Sequence, residues 1–318
     1  MKVSFVVIGL NEGYALTRCL KSIYVAISNS LKITEYEVIY IDSGSDDNSV
    51  DLVSDFNTVI VYSLTGDRSA AAARKVGELN SSLDYILFLD GDMELDDAFL
   101  DSVLGEDVLS EAVVGCIGLR KEYSVIRDSN ELLTDNYYQQ RGTSVLKHIG
   151  GALFIRRSAL VDCGGWVPEQ RLWEESLLLC KVNGRGEDIV GIEKPFISHF
   201  NAKKTSIFTS LRSYCRLYGT GYYYINFFLN SIKTGHFKVF LKNQQCFCFF
   251  IFASLIVLPC LLLIGEAKYY LLVILLLSIK FSIKSVLHSS LRCIWLLIFP
   301  FIKHKKFTFK WKAMVSVK

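Results

Sequence analysis

No Cys-x-x-Cys pair exists among the nine cysteines of this chain; their number is odd and their spacing scattered. Structural zinc modules place their ligands in such pairs, so a zinc site of that kind is excluded. The thiols read as buried and reduced. Net charge is only +3, and no basic tract interleaved with aromatics occurs, which removes a nucleic-acid surface. There is no Gly-x-x-x-x-Gly-Lys-Ser/Thr loop and no Gly-x-Ser-x-Gly elbow, so a P-loop ATP-binding protein and an elbow-type hydrolase are both disfavoured. The N-terminal apolar run is too short for a secretory signal and leads into Asn11-Glu12 without a small-residue cleavage site. The front of the chain is therefore expected in the cytoplasm.

What the chain does have is an apolar C-terminal end. Hydrophobic residues make up 51% of the whole, and the excess lies beyond residue 244. Before it, the first ninety residues alternate in type. Strands are expected at Val3–Ile8, Glu37–Ile41, Thr58–Tyr62 and Tyr85–Leu89. Helices are expected over Leu16–Ile27, Val50–Phe56 and Ser69–Leu79. Alternation of this kind predicts an α/β, mostly parallel, doubly wound sheet flanked by helices. Ligands bind such sheets beyond the C-terminal ends of the strands, which singles out Gly9–Glu12, Asp42–Asp47 and Asp90–Asp92. From about 96 to 200 the pattern is less regular. A strand at Ala152–Ile155 and helices at Ser158–Cys163 and Trp173–Val182 belong to an acceptor-facing half of the same domain, 1–205.

Residues 206–243 form a junction in which Arg212, Arg216, Lys233, Lys238 and Lys242 mix with tyrosine and phenylalanine. It reads equally as a membrane interface or as an amphipathic helix covering the core. Residues 244–318 are expected to anchor the chain. Cys246–Ile264 has no charge and about the length of one crossing. A second run starts at Tyr269 and is interrupted by Lys280 and Lys284, and a third covers Leu291–Ile302 before the cluster Lys303, Lys305 and Lys306. Lysines flank the pair on the side of the N-terminal domain, which places both termini in the cytoplasm and the protein at the inner membrane.

The strongest chemical signal is Leu87-Phe88-Leu89-Asp90-Gly91-Asp92, an apolar strand delivering two carboxylates at a sheet edge. A divalent ion with hard oxygen ligands needs such groups, and a diphosphate completes its shell. Alone the pair is weak evidence, because Asp-x-Asp is common in turns. The run Asp42-Ser43-Gly44-Ser45, the cation in Ala73-Arg74, and Asn11-Glu12 each read by themselves as a capped turn, a surface arginine or a loop.

Together these elements resemble family 2 glycosyltransferases of the GT-A fold in order and approximate spacing, across roughly residues 1–205. The resemblance implies that Asp42 contacts the base, that Asn11 and Glu12 help form that pocket, and that Arg74 sits near the nucleotide or its phosphates. It implies that Asp90 faces the ribose or the metal and Asp92 binds the metal, Mn2+ or Mg2+. His199 matches a histidine of many relatives and is a further metal or diphosphate ligand, with a structural histidine nearly as good a reading. Gly9 stands where the family usually has proline, and Lys75 where it often has asparagine. The family's Glu-Asp pair is replaced by Glu174-Glu175. The chemistry asks for a carboxylate base. The register leaves both residues open, Glu175 being preferred, and the helix N-terminus favours glutamates in any case.

The implied activity is inverting transfer of one sugar from a nucleotide-sugar donor, UDP-linked by family habit, to a lipid-linked or glycan acceptor at the membrane. The Gln-x-x-Arg-Trp motif of the processive synthases is absent; Arg141 follows Gln139-Gln140 without the tryptophan. Two other readings compete. A nucleotidyltransferase would show a basic glycine-rich loop after the first strand, where this chain has Gly9-Leu10-Asn11-Glu12-Gly13. A catalytically silent membrane scaffold of the same fold would have lost Asp90, Asp92 or the downstream carboxylate.

Overall fold

The computed structural model describes residues 1–105, 108–126, 129–138, 144–146, 149–200, 212, 215, 220–263, 266, 269–302 and 307–314. The Gln139-Gln140-Arg141 run, much of the junction and the cluster Lys303–Lys306 lie outside them. The chain divides into two compact units, 1–203 with 307–318, and 204–306.

The first unit is built on β1 (Lys2–Gly9), α1 (Tyr14–Asn29), β2 (Glu35–Asp42), α2 (Ser49–Val53), β3 (Val59–Gly66), α3 (Ala70–Asn80) and β4 (Tyr85–Asp90). These match the expected elements within a few residues. Val3–Ile8 is buried along its whole length, because a central parallel strand is covered on both faces and so reads as a nearly continuous apolar run, broken by Ser4, whose hydroxyl donates to Glu37. β1 pairs in parallel with β2 and with β4, setting Gly9 opposite Asp42 and Ile8 opposite Asp90. The candidate residues after three strands are thereby brought level at one edge. Helix α3 lies close on β1: a Cβ at Gly77 would fall 2.2 Å from Val6 Cγ1.

The second half follows as β5 (Met93–Leu95), α4 (Phe99–Gly105), β6 (Val113–Ile126), β7 (Ser129–Thr134), β8 (Ser144–Val145), β9 (Leu153–Arg156), α5 (Arg157–Asp162), α6 (Glu174–Gly184) and β10 (Asp188–Phe200). With a last strand, β11 (Phe309–Ala313), the sheet runs β11-β3-β2-β1-β4-β9-β6-β10-β5, with β7 on β6 and β8 on β10. β3, β2, β1 and β4 run parallel to one another, and so do β6 and β10. β9 is antiparallel to β4 and β6, and β5 is antiparallel to β10. Phe99, Phe154 and Phe196 fill the core between these strands, Phe99 and Phe196 stacked at 4.1 Å.

β11 (Phe309–Ala313), inside the stretch 244–318 expected to anchor the chain, pairs antiparallel with β3, Phe309 opposite Gly66 and Ala313 opposite Tyr62. Phe309 and Trp311 stack, and Asp67 Oδ2 accepts from Thr308 N.

The second unit is helical. Helices Thr220–Lys233 and Phe237–Asn243 precede Gln245–Phe252, which continues through a π-turn, Ala253–Val257, into Leu258–Leu263. Tyr224, Phe227, Phe240 and Phe247 form a buried aromatic cluster. The second apolar run does not reach Leu287. Ser282, with φ of 96°, ends helix Tyr269–Phe281 and caps a new helix, Ile283–Ile298, through its side chain and Ser285 N. Among the described residues one helix is long and apolar enough to cross a membrane. It is Ile283–Phe301; Gln245–Leu255, within the expected span Cys246–Ile264, is a shorter apolar helix.

Candidate active site

Glycine makes the edge of the sheet approachable. Gly9 ends β1 against Tyr40 and Glu12. The turn that follows is held from the β2 side: Glu12 N and Gly13 N both donate to Ser49 Oγ, and Asn11 Oδ1 accepts from Asp46 N at 2.9 Å. Asn11 has φ of 59°, a conformation asparagine tolerates better than most residues. Asp42 is buried, and its carboxylate accepts from Gly44 N at 2.9 Å, Ser45 N and Tyr40 Oη. Asn11 and Asp42 thus shape the loop after β2.

A cavity of about 290 Å3 opens at this edge, lined by Gly9, Leu10, Glu12, Ser43, Arg68, Ser69, Asp90 and Asp92, among others. Of the residues named from sequence, Glu12, Asp90 and Asp92 line it; Asn11, Asp42 and Arg74 do not. Burial, with Asp92 and Asp90 nearby, pushes the Glu12 carboxyl up to about 7, since its ionised form is poorly solvated and faces like charge. The cation at the cavity is Arg68, which sequence reading missed. It lies in the turn ahead of α3, and its Nη1 donates to Gly44 O at 3.0 Å.

Arg74 points the other way. It is only 2% exposed, packs over the Trp166 ring at 5.1 Å, and binds three carboxylates: Asp90 at 2.8 Å, Glu174 at 3.2 Å and Glu175 at 3.5 Å. The cluster forms because α6 brings its acidic first turn up to α3. Burial, with Glu175 beside it, raises the Glu174 carboxyl above its usual range, and burial raises Asp90 despite Arg74. Glu175 is the more exposed of the pair, and its Oε1 accepts from Gly151 N at 3.3 Å. Gly151 has φ of 71°, and a Cβ there would meet Asp90 Oδ2 at 2.5 Å, so the acceptor-side loop requires glycine at this point.

Asp92 leads to a second chain of groups. His199 Nε2 lies 3.0 Å from Asp92 Oδ2, and His199 Nδ1 lies 2.7 Å from Glu122 Oε2. Arg120 binds Glu122 and His199, and donates to Gly150 O at 3.0 Å. Tyr138 Oη donates to the same carbonyl. Arg120 and Glu122 were also missed; their two-residue spacing on β6 was the available signal. Among the described residues no group of three or more His, Cys, Asp or Glu gathers as a metal site. The donor set nevertheless fits a GT-A metal. Asp92 and His199 converge, Glu122 fixes the far nitrogen as in carboxylate–histidine–metal arrangements, and a diphosphate and water would supply the remaining oxygens.

Residues 4–164 match the model of Glycosyl transferase family 2. The chain belongs to that family. Its sequence is 27% identical over 124 residues to the poly(ribitol-phosphate) β-N-acetylglucosaminyltransferase TarP of Staphylococcus aureus, a match covering 37% of each chain. Among solved structures, S. aureus TarS residues 1–349 superposes with a TM-score of 0.51 at 17% identity, over 63% of this chain and 60% of that one. The mannosyltransferase PcManGT of Pyrobaculum calidifontis, in complex with GDP-Man and Mn2+, does so with a TM-score of 0.55 at 14% identity, over 93% and 86%. The chain thus spans about a third of TarP and three-fifths of TarS 1–349, and the likeness to the solved structures is one of GT-A fold.

Proposed function

We propose that the protein is a glycosyltransferase that moves one sugar from a UDP-linked donor to a hydroxyl of a lipid-linked or glycan acceptor at the membrane, with inversion and with Mn2+ or Mg2+. One observation carries this reading: Asp90 and Asp92 line a cavity together with Ser43 and Arg68, and Arg74 ties Asp90 to Glu174 and Glu175. TarS has been solved in complex with UDP-GlcNAc and TarP is named as an N-acetylglucosaminyltransferase, which favours UDP-GlcNAc as donor. GDP-mannose, held by PcManGT, is the second candidate.

In this reading Arg68 and Ser43 receive the nucleoside diphosphate, and Asp92 and His199 would hold the divalent ion. When bound, the ion offsets charge on the leaving diphosphate. Glu175, held by Arg74 and Gly151 N, accepts the proton of the acceptor hydroxyl. The hydroxyl oxygen bonds to the anomeric carbon as the bond from that carbon to the phosphate oxygen breaks, and the electron pair leaves on the diphosphate. Glu174, more deeply buried, helps hold Arg74 in place. A silent scaffold is disfavoured because every one of these carboxylates is present, and a nucleotidyltransferase because the turn after β1 is acidic.

The membrane reading rests on the exposed apolar helices of residues 204–306, where Leu255, Leu263, Ile279 and Phe301 stand out. The strand β11 adds a constraint. Residues before 204 and after 306 belong to one folded unit, so the segment between them leaves and returns on the same side, and any crossings are even in number. A single crossing by Ile283–Phe301 would part β11 from β3. The catalytic unit is placed on the cytoplasmic face of the inner membrane.

Calorimetric binding of UDP, GDP and CMP, with and without Mn2+, tests the catalytic reading. Tight Mn2+-dependent binding of UDP, lost in Asp92→Asn, is expected. Absence of nucleotide binding by folded wild type would favour the scaffold.

A further inference from the structure

The charges of this chain are sorted by unit. Residues 204–306 carry thirteen lysines and arginines and one acidic residue, Glu266, whereas the remainder holds 31 acidic residues against 22 basic ones. Such asymmetry marks a face that meets anionic partners. Within the helical unit an open groove of about 710 Å3 runs between helix Gln245–Phe252 and helix Tyr269–Phe281. Its floor is apolar, with Leu241, Phe249 and Phe252, all exposed. Two lysines, Lys242 and Lys280, and the amide of Gln245 border it. The Lys280 ammonium lies 4.7 Å from the centre of the Phe249 ring and 5.3 Å from that of Phe281. Neither lysine makes an ion pair among the described residues.

We infer that this groove seats an anionic phospholipid, an acyl chain lying along Leu241, Phe249 and Phe252 with the headgroup phosphate between Lys242 and Lys280. Aromatic rings beside the Lys280 ammonium hold a cation at an apolar surface, and an apolar trough bordered by two unpaired cations matches an amphiphile with a negative head. A neutral amphiphile would leave both ammonium groups uncompensated. A free anion would leave the trough exposed to water. The inference rests on the membrane reading above and names the lipid class that reading leaves open.

The test is flotation of the full-length chain with vesicles of phosphatidylcholine alone and of an equimolar mixture with phosphatidylglycerol, at low salt. At about 1 kcal/mol for each basic residue near an anionic surface, two lysines predict affinity about 25-fold higher for the mixture. K242Q/K280Q should lose most of that preference and keep its binding to phosphatidylcholine. K233Q/K238Q, which removes two exposed lysines of the same unit outside the groove, should keep the preference. Equal loss in both double variants would mean diffuse attraction and overturn the groove. Equal binding of wild type to both vesicle types would overturn the inference and leave the membrane reading standing. No binding to either vesicle would remove the membrane reading itself.

Discussion

Replacing Arg74 should unfold the site, whereas replacing Arg68 should only empty it. Arg74 is buried against Trp166 and is the shared partner of Asp90, Glu174 and Glu175. Arg74→Met keeps the packing volume and removes the charge, leaving three carboxylates in a poorly solvated space. Removing one partner of a buried ion pair costs about 3–5 kcal/mol. At about 2–4 °C per kcal/mol for a unit of this size, the melting temperature should fall by about 6–20 °C. The deficit should depend on pH in one direction. Without Arg74 the folded-state pKa values of Asp90 and Glu174, already raised, rise further above their unfolded values, so the penalty is full above those raised values and shrinks as pH falls and these carboxylates protonate. Arg68 is exposed and among the described residues bonds to Gly44 O, so Arg68→Met should change the stability by less than about 0.5 kcal/mol and weaken UDP binding. Thermal unfolding from pH 5 to 8, with calorimetry of UDP and Mn2+, reads both. An Arg74→Met protein that melts like wild type but no longer binds nucleotide would refute this assignment and return Arg74 to the ligand.

Glu12→Gln should stabilise the protein at pH 8 and not at pH 4. The folded carboxyl sits at about 7 against an ordinary value of 4.5, so its ionisation is penalised from about pH 4.5 upward and fully above 7. The shift alone corresponds to about 3.4 kcal/mol, and solvent screening at this half-buried group reduces the expected gain to about 1–2 kcal/mol, read as a rise in melting temperature. Gly77→Ala should cost about 1–3 kcal/mol of stability at every pH, read as a lower melting temperature, because the new methyl meets Val6 Cγ1 at 2.2 Å and overpacking outweighs the gain in helix propensity. Ending the chain at Lys306 should cost about 3 kcal/mol or more, from several ladder hydrogen bonds at about 1 kcal/mol each, and should promote aggregation through the bared edge of β3; melting and light scattering report the two effects.

The first ninety residues were readable because central parallel strands have only one way to look. Val3–Ile8, apart from Ser4, and Tyr85–Leu89 are made of apolar and aromatic residues, and Asn11, Glu12, Asp90 and Asp92 gather just beyond them at the C-terminal edge of the sheet. The half beyond residue 96 gave less. β6 carries Arg120 and Glu122 inward, as partners of His199 some 77 to 79 residues away, and nothing local announces a buried polar network of such range. β10 shifts register between Gly191 and Ile197, which breaks the alternation that marks a strand. Arg74 was legible as a special arginine, but its partners were not, since Glu174 and Glu175 reach it only through the packing of α6. The β11 strand left a signal in Phe309-Lys310-Trp311-Lys312, an alternation of period two that followed a run of lysines and was absorbed into the membrane segment.

The same network decides what must enter with the donor. Arg74 is committed to Asp90, Glu174 and Glu175, and Arg120 to Glu122 and His199. The cavity therefore presents Glu12, Asp90 and Asp92 with Arg68 as its cation among the lining residues. A nucleoside diphosphate adds further negative charge to this space, and one exposed arginine cannot balance it. Burial first, and Asp92 and Asp90 after it, already push the Glu12 carboxyl upward. In the proposed reading a divalent cation held by Asp92 would convert the repulsion into attraction. UDP binding should accordingly be negligible in EDTA at pH 8 and return with Mn2+, and Arg68→Met should weaken the binding that Mn2+ restores. Equal UDP affinity with and without the metal would mean that the protein's own cations suffice and that the charge accounting at this edge is wrong.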